Sequence, residues 1–197
     1  MDKELLVINN IKGRLYEDIL EVASDDIDYK SFSGKTIFIT GVAGFIAYHI
    51  VTSLLLRNDI YSDDIRVMGN VRSMERAEKK YGRLLERNDL TLIEQDVCEA
   101  FDNIQVKVDY VIHAASQASA WHFENDPVGT INANLSGTIN ALELAKRCEA
   151  KTLIVSSLKT YGVVKDGSHE LREEKIGELD IDSSSEPIDV KNILENE

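Results

Sequence analysis

The sequence predicts an α/β fold built on a doubly wound parallel sheet, and two observations carry that expectation. Short, near-continuous apolar runs recur at 36–40, 65–68, 90–93, 109–112 and 151–156. Helical patterns of about a dozen residues or more stand between successive runs, and strands apolar on both faces belong to sheets covered by helices on both sides. No internal repeat interrupts the alternation.

Taken in order, the first 34 residues read as an amphipathic helical lead-in, with Leu15, Ile19, Leu20 and Val22 along one face before Asp25-Asp26. Thr36 to Thr40 (TIFIT) is the first strand, followed by a helical pattern from Gly44 to Leu56. Ile65 to Met68 is the second strand, and Ser73 opens a charged helix through about Glu86. Leu90 to Ile93 and Asp109 to Ile112 are the third and fourth strands. Asp126-Pro127 begins a long helix reaching Cys148, with proline in the first turn, where a missing N–H costs little. Lys151 to Ser156 is the fifth strand, and after Tyr161 the pattern stops.

Composition narrows the function. With 197 residues and 43% apolar content, the chain suits one sizeable domain with a core. No stretch approaches the roughly 20 apolar residues of a membrane span. Met1 leads directly into Asp2, Lys3 and Glu4, unlike a signal peptide. Cys98 and Cys148 have no metal-like spacing with histidine, so no metal is expected, and both read as reduced thiols of a cytoplasmic protein. A net charge of −13 would repel nucleic acid, though not a small anionic cofactor held by local N–H groups. Residues 166–197 hold eleven acids against three bases, a solvated and partly irregular tail.

Three segments at strand ends carry chemistry. Thr40-Gly41-Val42-Ala43-Gly44-Phe45-Ile46-Ala47 joins the first strand to its helix. Gly41 permits a tight turn, Gly44 lets backbone approach a phosphate, and small Ala47 allows close helix–strand packing. The free N–H groups and positive dipole end of the following helix point at that phosphate. His113-Ala114-Ala115-Ser116 follows the fourth strand, where small residues let the chain pass beneath a ligand. His113 on its own more often signals a satisfied structural histidine. Ser156-Ser157-Leu158-Lys159-Thr160-Tyr161-Gly162 ends the fifth strand, where a hydroxyl can meet a substrate oxygen or merely form a turn.

In register with Asp96-Val97 and with N-x-x-G-T at Asn134 to Thr138, these segments resemble the extended short-chain dehydrogenase/reductases. The nearest match is the nucleotide-sugar epimerase/dehydratase group, which includes dTDP-glucose 4,6-dehydratases and UDP-glucuronate decarboxylases. The resemblance covers about residues 35 to 162 and implies a Rossmann fold. It assigns Gly41, Gly44 and Ala47 to the pyrophosphate loop, with backbone contacts from Phe45 and Ile46. It sets Asp96 and Val97 beside the adenine, and His113, Ala114 and Ala115 along the nicotinamide ribose. Asn134 matches a structural asparagine, and Ser157 matches the hydroxyl residue of the catalytic set. The implied reaction starts by oxidising a nucleotide sugar at C4, with hydride passing to bound nicotinamide and a lysine-assisted tyrosine taking the proton. The implied organisation is a helical extension over 1–34, an NAD(P)-binding domain over 35–162 and an acidic tail over 163–197.

The sequence departs from the family in two places. The family's Y-x-x-x-K lies on a helix some tens of residues beyond the serine. Here Tyr161-Gly162-Val163-Val164-Lys165 starts four residues after Ser157, and its glycine, β-branched pair and following Asp166-Gly167 suit a helix poorly. Glu186 to Asn192 resembles the approach to the catalytic helix, which puts Leu194 at the tyrosine and ends the chain one residue before the lysine. The expectation is a fold C-terminally truncated relative to the family, binding dinucleotide with little or no turnover alone. The second departure is at Val67 to Ser73, which offers no acid for the adenosine ribose hydroxyls. Family resemblance points to NAD, while Arg72 with Ser73 leaves NADP open.

Two further readings stand beside this one: a carbonyl reductase of the same superfamily, supported by Val71-Arg72, and a non-catalytic dinucleotide-binding sensor. Relatives pair through helices matching Ala118 to Glu124 and Gly129 to Cys148, so a homodimer is expected of a full-length protein acting on a nucleotide sugar.

Overall fold

The computed structural model describes residues 11–117 and 119–157. Five parallel strands form one sheet in the order β3-β2-β1-β4-β5. They are β1 (Thr36–Thr40), β2 (Arg66–Val71), β3 (Leu90–Glu94), β4 (Tyr110–His113) and β5 (Lys151–Ile154). The helices are α1 (Arg14–Ser24), α2 (Phe45–Tyr61), α3 (Met74–Tyr81), α4 (Ala120–Asn125) and α5 (Pro127–Cys148). The chain winds outward from β1 through β2 to β3, then returns to lay β4 on the other side of β1. The doubly wound α/β expectation is thus met.

All five residues of β1 are buried, because successive side chains point to opposite, equally covered faces. Ile37 and Ile39 join a cluster with Val51, Leu55, Ile65 and Tyr81 on the α2/α3 side. Phe38 joins Phe101, Val108, Val111, Ala141 and Leu144 on the α5 side. Among the described residues β5 stands at the sheet edge, and all four of its residues are exposed.

Several boundaries differ from the sequence expectation. β2 continues through Val71 because Asn70 and Val71 pair with Ile93 and Glu94. The charged helix stops at Tyr81, where Gly82 takes φ +49° and a 3-10 turn (Gly82–Glu86) follows. β4 begins at Tyr110, one residue later than expected, and Asp109 just before it donates its N–H to the Thr36 carbonyl at 2.9 Å while its carboxylate accepts the Thr36 N–H at 3.0 Å. On α1 the buried positions are Ile19 and Ala23, while Val22 is half exposed. Arg57 holds α1 in place, donating to the Ala23 carbonyl at 2.9 Å and stacking over Tyr29 and Tyr61. Asp126 caps α5 by accepting the N–H of Gly129 at 3.0 Å, with Pro127 in the first turn.

Among the described residues no helix is long and apolar enough to cross a membrane, and no His/Cys/Asp/Glu group is arranged to hold a metal.

Candidate functional site

Parallel strands deliver their carboxyl ends to one edge of the sheet, and ligands of such folds bind where the winding reverses. That switch point lies between β1 and β4. Gly41 follows β1 there with φ +67°, in the left-handed region that disfavours a side chain. A Cβ on Gly41 would lie 2.9 Å from Ala115 Cα, so the two turns approach as closely as backbone allows. Gly44 donates its N–H to the Gly41 carbonyl at 2.8 Å and opens α2.

Three side chains from outside the turn fix its orientation. Buried Asn70 accepts the Gly41 N–H at 3.1 Å and donates to the Gln95 carbonyl at 3.0 Å. Tyr81 donates to the Val42 carbonyl at 2.8 Å, and Lys80 to the Ala43 carbonyl at 2.8 Å and the Gly44 carbonyl at 3.3 Å. The loop's carbonyls are therefore occupied by α3. By helix geometry the first N–H groups of α2 have no intrahelical partner and remain available to an anion. Burial pushes the Tyr81 phenol well above its ordinary range, with the neighbouring Tyr48 adding to the shift, so Tyr81 acts as a neutral donor. Burial also lowers the Lys80 ammonium, whose Nζ sits 4.6 Å from the centre of the Tyr48 ring. Gly69 makes this packing possible: a Cβ there would lie 2.3 Å from Val42 Cγ1 and 2.8 Å from the Ile39 carbonyl oxygen.

On the β4 side, Thr40 Oγ1 accepts the N–H groups of Ala114 and Ala115, each at 3.0 Å. With both lone pairs used, its single O–H donates to His113 Nδ1 at 2.9 Å. His113 is therefore a neutral imidazole with its proton on Nε2, in keeping with burial that lowers its pKa. Gly137 lets α5 lie over it, since a Cβ there would meet His113 Cε1 at 3.3 Å and Val97 Cγ1 at 3.0 Å.

These turns enclose a cavity of about 720 Å³, within the range of small-molecule sites. Of the residues singled out in the sequence, Gly41, Gly44, Arg72, Asp96, Ala114 and Ala115 line it. Ala47, Val97 and His113 are buried beneath the lining rather than in it. The side chains of Phe45 and Ile46 are 77% and 55% exposed, which leaves only their backbone for an anion. Asn134 accepts a hydrogen bond from Ser116, itself a lining residue, at 2.8 Å. Ser157 is exposed and belongs to a second compact unit, Val155–Glu197. The Tyr161–Lys165 segment and the acidic tail lie outside the described residues.

Sequence reasoning passed over Asn70, Arg76, Lys80 and Tyr81. A charged helix face is ordinarily solvated, and nothing in the local pattern separates Lys79, paired with Glu75, from Lys80, turned to the loop. Cys98 also lines the cavity. Burial, then a hydrogen bond with Asp96, push its thiol up to about 11, which keeps it protonated and poorly nucleophilic.

The fit to a dinucleotide follows from this geometry: a cradle at Gly41 that any Cβ would fill, unpaired N–H groups at the α2 start, and a cavity spanning the ends of four strands. Comparison with known proteins agrees. UDP-glucuronic acid decarboxylase 1 of Arabidopsis thaliana is 36% identical over 126 residues, 64% of this chain and 27% of that protein. UDP-glucuronic acid decarboxylase 6 of the same plant is 36% identical over 132 residues, 66% of this chain and 36% of that protein. The chain thus spans about a quarter to about a third of these relatives' length. A UDP-N-acetylglucosamine 4-epimerase from Methanobrevibacter ruminantium M1, solved with UDP-N-acetylmuramic acid, matches with a TM-score of 0.54 at 25% identity, covering 72% of this chain and 43% of that one. Pen from Bacillus thuringiensis, at a TM-score of 0.57 and 21% identity over 66% of this chain and 39% of its own, shares the fold. The model of the NAD dependent epimerase/dehydratase family matches residues 37–187, from the first strand past Ser157, and the chain belongs to that family.

Proposed function

We propose that this chain is the NAD(P)-binding part of an enzyme that oxidises a nucleotide sugar at C4, as an epimerase, dehydratase or decarboxylase. The observation that carries the reading is the cavity at the β1/β4 switch point, with Gly41 against Ala115 and the α2 N-terminus facing the same space. The α2 N–H groups hold the pyrophosphate, Asp96 borders the adenine, and Ala114-Ala115 give the nicotinamide ribose room beside β4. When bound, the nicotinamide supplies an acceptor for hydride from an alcohol carbon. Ser157 orients the sugar hydroxyl.

The 197 residues bind dinucleotide but turn over little sugar alone, because the candidate Y-x-x-x-K at Tyr161 lacks a helix-forming sequence. Lack of a positioned base costs about 10²–10⁴ in rate. Thermal-shift titration of the chain with NAD+ and NADP+, followed by incubation with UDP-glucuronic acid and dinucleotide and mass analysis of the sugar nucleotide, tests both parts. The expected result is a dinucleotide-dependent rise in Tm with the sugar nucleotide unchanged, the product being the readout because hydride taken at C4 is returned within the cycle. The absence of any shift with either dinucleotide removes the binding reading, and multiple-turnover conversion of the sugar nucleotide removes the claim of inactivity.

In the full-length protein we place a homodimer on α5. Val128, Ile131, Leu135, Ile139 and Leu142 recur at spacings of three and four and are 43–68% exposed, an apolar stripe of the kind that seats a partner helix. Sedimentation equilibrium of the full-length protein is expected to show a dimer that Leu135→Lys dissociates. A monomer at high protein concentration would contradict the pairing.

A further inference from the structure

We infer that the cavity selects a dinucleotide carrying a 2′-phosphate on its adenosine ribose, with Arg72, Ser73 and Arg76 as the phosphate-holding residues. This rests on the dinucleotide reading above. With the pyrophosphate at the β1 turn, the adenosine ribose lies over the end of the adjacent strand, β2, and the residues there decide between a free diol and a phosphate. In this chain Asn70, Val71, Arg72, Ser73, Arg76 and Lys80 all line that side of the cavity.

A site for the unphosphorylated ribose presents a carboxylate to both hydroxyls. None stands at the end of β2, and the amide there is already committed. Asn70 is 1% exposed, with its oxygen on the Gly41 N–H and its nitrogen on the Gln95 carbonyl. The nearby acids have other tasks. Glu94, beside the end of β2, accepts the Met74 N–H at 3.0 Å and is not among the lining residues, while Asp96 and Asp126 stand on the β3 and α5 sides of the cavity, each with one oxygen on a backbone N–H.

The same wall offers a dianion much more. Among the described residues neither Arg72 nor Arg76 is in an ion pair, on a chain with 35 acids against 22 bases. On so acidic a chain, two guanidinium groups at one cavity edge make a local cationic patch, and guanidinium is the side chain best suited to grip phosphate oxygens. Ser73 Oγ accepts the Arg76 N–H at 3.3 Å, which leaves its O–H to donate to a phosphate oxygen. Lys80 adds a third positive charge behind them while holding the loop carbonyls. The simplest competing account, arginines merely solvated at a helix start, predicts no preference between the dinucleotides.

Isothermal titration of the chain with NADP+ and, separately, NAD+ decides the matter. The expected result is NADP+ binding at least tenfold tighter, with the advantage shrinking as salt rises because phosphate contacts are screened. In the Arg72→Gln/Arg76→Gln double variant the ratio should fall toward one. Both side chains are exposed, so the fold should survive the change, and circular dichroism checks that it has. Equal or tighter binding of NAD+, or an unchanged ratio in the double variant, overturns the inference. Failure of both dinucleotides to bind the unmodified chain overturns the dinucleotide reading itself, a distinct result.

Discussion

Gly41→Ala is expected to abolish measurable dinucleotide binding, whereas Gly34→Ala, at nearly the same backbone angle, leaves binding intact. Gly34 and Gly41 have φ of +69° and +67°, so each alanine meets a similar left-handed penalty of about 1–2 kcal/mol. The neighbours differ. Nothing lies within 4 Å of a Cβ on Gly34, while one on Gly41 meets Ala115 Cα at 2.9 Å and Ala115 Cβ at 3.0 Å. Ala115 cannot simply step aside, because its N–H is held by Thr40 Oγ1. Overpacking of this kind adds about 1–3 kcal/mol, and it opens the switch point where the pyrophosphate must sit. Urea unfolding of the two variants isolates the steric part as their difference, and calorimetric titration reads the binding. Affinity within a few fold of the unmodified chain in Gly41→Ala would show that the cradle is not the phosphate site.

Arg87→Met is expected to cause the largest loss of stability, about 3–5 kcal/mol, by stranding two carboxylates. The Arg87 side chain is 8% exposed, and it donates to Asp59 at 2.8 Å and to both oxygens of Asp89 at 2.7 Å. It thereby ties the end of α2 to the start of β3, at the sheet edge opposite the cavity. The triple variant with Asp59→Asn and Asp89→Asn should recover most of the loss, since a neutral amide is far cheaper to bury than an unpaired charge. The pH dependence gives a second reading. Burial alone would raise the Asp89 carboxyl, but hydrogen bonds from Arg87 and Asn58 outweigh it and hold the group below the usual carboxylate range. A depressed folded value means stability that is fully present above the unfolded pKa of about 4 and is lost as pH falls through the folded one. Without Arg87 the largest cause lowering the Asp89 carboxyl is gone, so less of the variant's stability is lost at this site as pH falls. The stability gap between the unmodified chain and the variant should therefore narrow as the solution is acidified, and unfolding-midpoint curves that stay parallel across the acidic range would contradict the assigned role of Arg87.

The elements legible in the sequence share one property: their cause is local. TIFIT reads as a buried strand because an apolar centre, Ile37-Phe38-Ile39, is flanked by β-branched threonines, and it is buried throughout. The turn at Gly41 to Ala47 reads as a phosphate cradle because left-handed backbone and close approach both demand small residues next to one another. Helix ends were harder to place. Gly82 stopped α3 five residues short of Glu86, the end expected from the charge pattern, because a positive φ interrupts a helix whatever the periodicity around it.

The residues that hold the site in position left no such trace. Asn70 reaches the Gly41 N–H across 29 positions, and Lys80 and Tyr81 reach the loop carbonyls across 37 and 39. His113 reads as a candidate ligand-side residue until its Nδ1 is found spent on Thr40. By itself, then, the sequence determined the class of sheet, the switch-point turns and the chemistry that small residues permit there, because apolar periodicity and backbone freedom belong to short stretches of chain. Only the tertiary structure decided which charged and polar groups face the cavity, because a hydrogen bond between distant segments depends on where the sheet brings them together and not on any spacing along the chain.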